Sequence, residues 1–139
     1  MLKENIPNEG IVCRVLKKPS MYKDNENIDW KSVFMFNRNC ESVIWTKYAK
    51  TEEEIHKIGF RITENKIYSG YCSAIVLLIR EINIQNYSFK VEHVPEEGIY
   101  HAHICYSKER REIKKAVRSI LKEKLSEIFE KNISQYNPL

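Results

Sequence analysis

Eight apolar residues near the C-terminus, Ile113, Ala116, Val117, Ile120, Leu121, Leu125, Ile128 and Phe129, recur at steps of three and four. That period matches the turn of an α-helix, so they line one stripe of a cylinder. The spacing predicts a long amphipathic helix over 107–132, with Ser107 as its N-cap. A stripe this long must be buried, either on a sheet of the same chain or against a partner.

Upstream, the residue types predict that sheet. Gly10 to Leu16 reads as a strand stopped by Pro19, which has no N–H for a ladder. Trp30 to Phe36 and Glu41 to Tyr48 read as a hairpin about the turn Asn37-Arg38-Asn39. Thr51 with Glu54 is a capping box, and Ile55 and Ile58 give a two-turn helix closed by Gly59. The stretch Cys72 to Ile82 is apolar at nearly every position. Its length and period do not separate strand from helix, although its β-branched residues favour a strand. Phe89 to Val94 alternates, Pro95 to Gly98 turns, and Ile99 to Tyr106 returns. The expected fold class is α+β: an antiparallel sheet of about five strands, one short middle helix, and the long C-terminal helix packed on one face. The 139 residues make one expected domain, 1–139, whose polar first nine residues are expected to fray.

Four glycines, none clustered, exclude a glycine-rich phosphate loop. A hydrophobic fraction of 42% argues against disorder. The N-terminus lacks a leader's apolar run, and Ala74–Ile79 is far too short to span a membrane. The expected location is the cytoplasm, with no membrane contact. Cys13, Cys40, Cys72 and Cys105 show no metal-binding or secreted-scaffold spacing, so four separate thiols are expected. Ile, Lys, Asn and Glu account for 62 residues, which points to AT-rich coding DNA and a low-GC bacterium or its phage.

Three patterns carry candidate chemistry. Three of the four histidines fall between His93 and His103. On a strand, His101, His103 and Cys105 share one side, so His101 and His103 are the candidate acid–base residues. No cofactor is expected; were a metal bound, its ligands would come from His93, His101, His103 and Cys105. Ordinary half-solvated histidines are the competing reading. The second pattern is charge. Nine basic and five acidic residues follow Ser107, against fourteen of each before it, so the whole excess of +4 lies in this segment. Arg111, Lys115, Arg118 and Lys122 are its candidate nucleic-acid contacts. Interleaved glutamates could instead pair with them along the helix. Third, Leu125, Ile128 and Phe129 form the far end of the stripe and are the candidate contacts for a protein partner or a second copy.

Three functions follow. One is a small cytosolic interaction or accessory subunit of a larger bacterial assembly, such as a toxin–antitoxin or anti-phage defence system. Another is a nucleic-acid-binding protein using the basic helix. The third is a small hydrolase or nuclease centred on the His-x-His strand. The lack of a catalytic motif makes a non-enzymatic role the leading expectation.

Overall fold

A computed structural model describes residues 2–64 and 67–137. The strands are β1 (Ile11–Lys18), β2 (Cys40–Trp45), β3 (Ile67–Ile75), β4 (Phe89–His93), β5 (His101–Tyr106) and β6 (Ile133–Gln135). The helices are α1 (Trp30–Val33), α2 (Glu52–Thr63), α3 (Val76–Arg80) and α4 (Lys115–Phe129). All paired strands run antiparallel, in the order β4-β5-β2-β1-β3-β6. The α+β class, the antiparallel sheet and the C-terminal helix stand as expected, with a sixth strand at one edge.

Alternation splits the sheet into two unequal faces. Val12, Leu16, Val43, Cys72, Ala74, Phe89, Val91, Ala102, Ile104 and Tyr106 point to the side where α1, α3 and α4 pack, and form the main core. Cys13, Val15, Ile44 and Tyr71 point to the other side, where Ile55 and Ile58 of α2 meet them. α2 lies over β3 and β1, and its Ile55 and Ile58 also meet Ile44 of β2. Beyond Ile44 the second face of β2, β5 and β4 is partly open: Ser42 and Lys90 are exposed, and Cys40, Glu92, His101, His103 and Cys105 are half-buried.

Several local expectations change. Trp30 to Phe36 is not a strand. Asp29 caps α1, accepting from the Lys31 amide at 3.3 Å and the Ser32 hydroxyl at 2.9 Å. Val33, Phe34 and Phe36 then drop into the main core, so burial overrides their strand propensity. The expected hairpin does not form, and β2 pairs with β5 and β1 instead. Gly59 does not end its helix, which runs to Thr63. It is needed there for another reason: a Cβ would sit 2.3 Å from the Tyr68 ring. Cys72 to Ile82 is both alternatives in turn, strand to Ile75 and helix from Val76.

The C-terminal helix begins at Lys115, not Ser107. Glu109 and Glu112 close a capping box around a 3-10 turn, Arg110–Glu112, that precedes it. The far end of its stripe is internal: Leu125 and Phe129 are 0% exposed, and Ile128 is partly buried against the same cluster. Phe129 packs on Phe34 with ring centroids 4.8 Å apart. Leu125, Ile128 and Phe129 do not form the expected overhang for a partner, because they pack into the main core; Ala116 and Ile120 are the stripe residues left exposed. The N-terminal segment is anchored at two points, although most of it is exposed: Ile6 joins the core, and Glu4 is held by Lys47 and Tyr48. Met1 lies outside the described residues.

Candidate functional site

β4, β5 and β2 bring most of the histidine-strand residues onto the partly open face. The register sets Cys105 opposite Cys40, His103 opposite Ser42 and His101 opposite Ile44. On the far side, Lys90 faces Cys105 and Glu92 faces His103. Residues directly opposite share a face, so Cys40, Ser42, His101, His103 and Cys105 form one polar stripe. The turn Pro95–Glu97 reaches over it, and His103 Nε2 donates to Glu97 Oε1 at 3.2 Å.

His101 has a different environment. Its Nδ1 is buried without a hydrogen-bond partner among the described residues. Burial holds its pKa below the usual histidine value; Glu97 opposes that shift and His103 adds to it. A cavity of about 80 Å³ opens between Ile62 and Thr63 of α2 and Val15, Ser42, Ile44 and His101 of the sheet. It has room for a few waters or one small functional group, well below the volume that a drug-sized ligand fills.

His93 is not part of this stripe, and its expected role as a metal ligand is overturned. It pairs with Ala102, so alternation sends it to the core side, where it is 1% exposed. Both ring nitrogens are engaged: the Glu4 amide donates to Nδ1 at 3.1 Å, and Nε2 donates to the Ile99 carbonyl at 2.8 Å. It stacks between Trp45 and Tyr48 as a structural ring. The expectation of four separate thiols also fails. Cys40 and Cys105 form a disulfide between directly opposed positions, with Cα atoms 4.1 Å apart. Cys13 and Cys72 are free and buried, and burial pushes the Cys13 thiol up to about 12. Cys40 is the residue that sequence reading left out. Its tie to Cys105 spans 65 positions and has no local signal.

The basic residues gather on the opposite side of the molecule, where α4 begins. Arg110 is fixed from two directions: its amide donates to Asn39 Oδ1 at 2.7 Å, and its Nε donates to the Phe36 carbonyl at 2.9 Å. Arg118 Nη1 donates to the carbonyls of Ile113 at 2.7 Å and Arg110 at 3.0 Å. These bonds hold two guanidinium groups together despite their like charge. Lys122 joins them. Its pKa is pulled down first by burial and then by Arg110, Arg118 and Lys115. Lys115 stands fully on the surface, and Arg111 pairs with Glu109 at 2.7 Å. Among the described residues, Arg110, Lys115, Arg118 and Lys122 make no ion pair. Beneath them, the Tyr106 hydroxyl is buried without a hydrogen-bond partner, and both arginines act on it electrostatically. Aromatic rings near a basic surface can stack on bases, but Trp45 and Tyr68 are buried and Tyr48 lies against His93. Trp30 is partly buried and lines an open groove of mixed charge, with Lys23, Lys31 and Lys122 beside Asp29, Glu123, Glu127 and Glu130.

No described helix is long and apolar enough to cross a membrane. Comparisons with family models, curated proteins and solved structures find no match to this chain.

Proposed function

We propose that the protein is a nucleic-acid-binding module, and that its contact surface is the basic face formed by the 3-10 turn and the first half of α4. One observation carries the reading. Arg110, Arg118 and Lys115 all act electrostatically on Lys122, and among the described residues none of the four makes an ion pair. Like charges gathered on a folded surface raise its energy, and a phosphate backbone relieves that repulsion while releasing counterions. The two arginines are pinned by backbone carbonyls, so little side-chain freedom is lost when they meet phosphate. The setting suggested by the chain's size and AT-rich codon content is an accessory subunit of a bacterial assembly, such as an anti-phage or toxin–antitoxin system.

Fluorescence anisotropy with labelled single-stranded and duplex oligonucleotides tests this. Affinity should fall steeply between ~50 and ~200 mM salt. Lys115→Glu and Lys122→Glu, with Lys114→Glu at the exposed position before α4, remove three cations whose side chains make no hydrogen bond among the described residues. Binding should weaken at least ~10-fold, and the salt slope should drop by about 0.9 per lost phosphate contact. Binding that ignores salt, or that survives the triple change, refutes the proposal.

The partly open sheet face supports a second reading, a small hydrolase. Its observation is the unpartnered His101 Nδ1, in a ring kept neutral by burial and sharing a cavity with Ser42. A neutral imidazole beside a hydroxyl can act as general base. Screening against ester and phosphodiester substrates, with His101→Gln as control, tests it. Turnover unaffected by that change removes His101 from the chemistry.

A further inference from the structure

The polar stripe on the partly open face contains a second arrangement, independent of the basic surface. Cys40 and Cys105 face each other across β2 and β5, and His103 precedes Cys105 by two residues on the same side. One ligand atom from each of Cys40, His103 and Cys105 lies within 4.8 Å of the other two. A tetrahedral zinc ion with Zn–S of about 2.3 Å and Zn–N of about 2.0 Å needs its ligand atoms about 3.4–3.8 Å apart. No pair of the three ligand atoms lies more than about one ångström beyond that spacing's upper end, and reduction frees the two sulfurs to separate toward it. All three are half-buried, neither sealed in the core nor loose on the surface.

We propose that Cys40, His103 and Cys105 form a metal site for a thiophilic divalent cation, zinc above all, when the disulfide is reduced. Glu97 completes the argument. Its carboxylate accepts from His103 Nε2, which orients the ring and leaves Nδ1 as the lone pair for the ion. Three protein ligands on a partly open sheet face leave a fourth position for water or another small ligand. That is the arrangement of reactive zinc sites, whereas structural ones close all four positions.

The site exists only in the reduced chain. A phosphine reductant and water supply two electrons and two protons to the S–S bond, giving two thiols and the phosphine oxide. Zinc then displaces the two thiol protons and forms two Zn–S bonds. In the oxidised chain the sulfurs hold each other, and no thiolate remains for a metal.

The test uses the wild-type full chain in both redox states. Oxidised protein and phosphine-reduced protein, desalted without oxygen, are titrated with Co²⁺ and then Zn²⁺. The reduced chain should bind one ion per chain and give a thiolate-to-cobalt charge-transfer band, which zinc bleaches. The oxidised chain should give neither. Cys40→Ser should abolish the band, while Cys13→Ala should leave it intact. Glu97→Gln, at an exposed position, should weaken zinc binding ~10–100-fold. A reduced wild type without the charge-transfer band overturns the proposal, as does a band that persists in Cys40→Ser. Since the comparison between redox states needs no substitution, a variant that fails to fold does not shield the proposal.

Discussion

Replacing Glu41 with Gln probes the link between the core and the basic surface. Arg14 is largely buried on the core side of the sheet. Its Nη2 donates to Glu41 Oε2 at 2.9 Å, Nε to the Val33 carbonyl at 3.1 Å and Nη1 to the Ser42 carbonyl at 2.9 Å. The other oxygen, Glu41 Oε1, accepts from the Phe36 amide at 2.6 Å. Phe36 sits at φ 49°, a left-handed conformation that costs a non-glycine residue about 1–2 kcal/mol. Its carbonyl in turn accepts from Arg110 Nε. A glutamine keeps the shape but has one acceptor oxygen, so either Arg14 or the Phe36 amide loses its partner. Breaking a buried ion pair costs about 3–5 kcal/mol. The side chains here keep 17% and 15% exposure, so some water can compensate, and the expected loss is ~2–4 kcal/mol. For a chain of this size that lowers Tm by roughly 6–16 °C. Urea denaturation of wild type, Glu41→Gln, Arg14→Met and the double variant yields the coupling energy, expected above ~1 kcal/mol. A single-variant loss under ~1 kcal/mol, or no coupling, would refute the bracing role.

Three further outcomes follow from burial and titration. Phe129→Ala should lose ~3–5 kcal/mol in urea denaturation without changing the state of association, because the ring fills the core against Phe34. Thiol titration of the denatured oxidised chain should find two thiols, and four after reduction; two in both cases, or four in both, would contradict the Cys40–Cys105 bond. His101 has a folded pKa below its unfolded 6.5, so the unfolded chain binds more protons in that window. Its contribution to stability is therefore full above 6.5 and is lost as pH falls toward the folded value. Tm measured from about pH 7 to pH 5 should fall less in His101→Gln than in wild type.

The elements that were legible in the sequence are those whose cause is local. Thr51 accepts from the Glu54 amide at 3.1 Å, and three glutamates sit in the first turn of α2, as their spacing implies. The β4–β5 hairpin follows from alternation on both sides of Pro95 and Gly98. What escaped has a distant cause. The glycine inside α2 is explained by a tyrosine nine positions past it, whose ring takes the space of a Cβ, so Gly59 does not mark the helix end. The fate of residues 30–36 depends on Arg14 and Glu41 gripping the backbone at Val33 and Phe36. Cross-strand neighbours such as Cys40 and Cys105 depend on strand order, which composition and period do not encode.

The basic surface shows the same division within one segment. In a continuous helix from Ser107, Glu109 and Glu112 would stand near the lysines and arginines one turn on, and would neutralise them. The chain instead makes a 3-10 turn there, and the two glutamates cap it. The Glu109 amide donates to Glu112 Oε2, and the Glu109 carboxylate also holds Arg111. Ile113 turns into the core, and α4 starts at Lys115 without a side-chain cap or an acid in its first turn. Glu109 and Glu112 are thus engaged before the helix begins, and Arg110, Lys115 and Arg118 are left acting on Lys122 without an ion pair among the described residues. The net charge of the segment was readable from the chain. Its lack of compensation comes from where the helix starts, and that is decided by the burial of Ile113 and the capping turn before it.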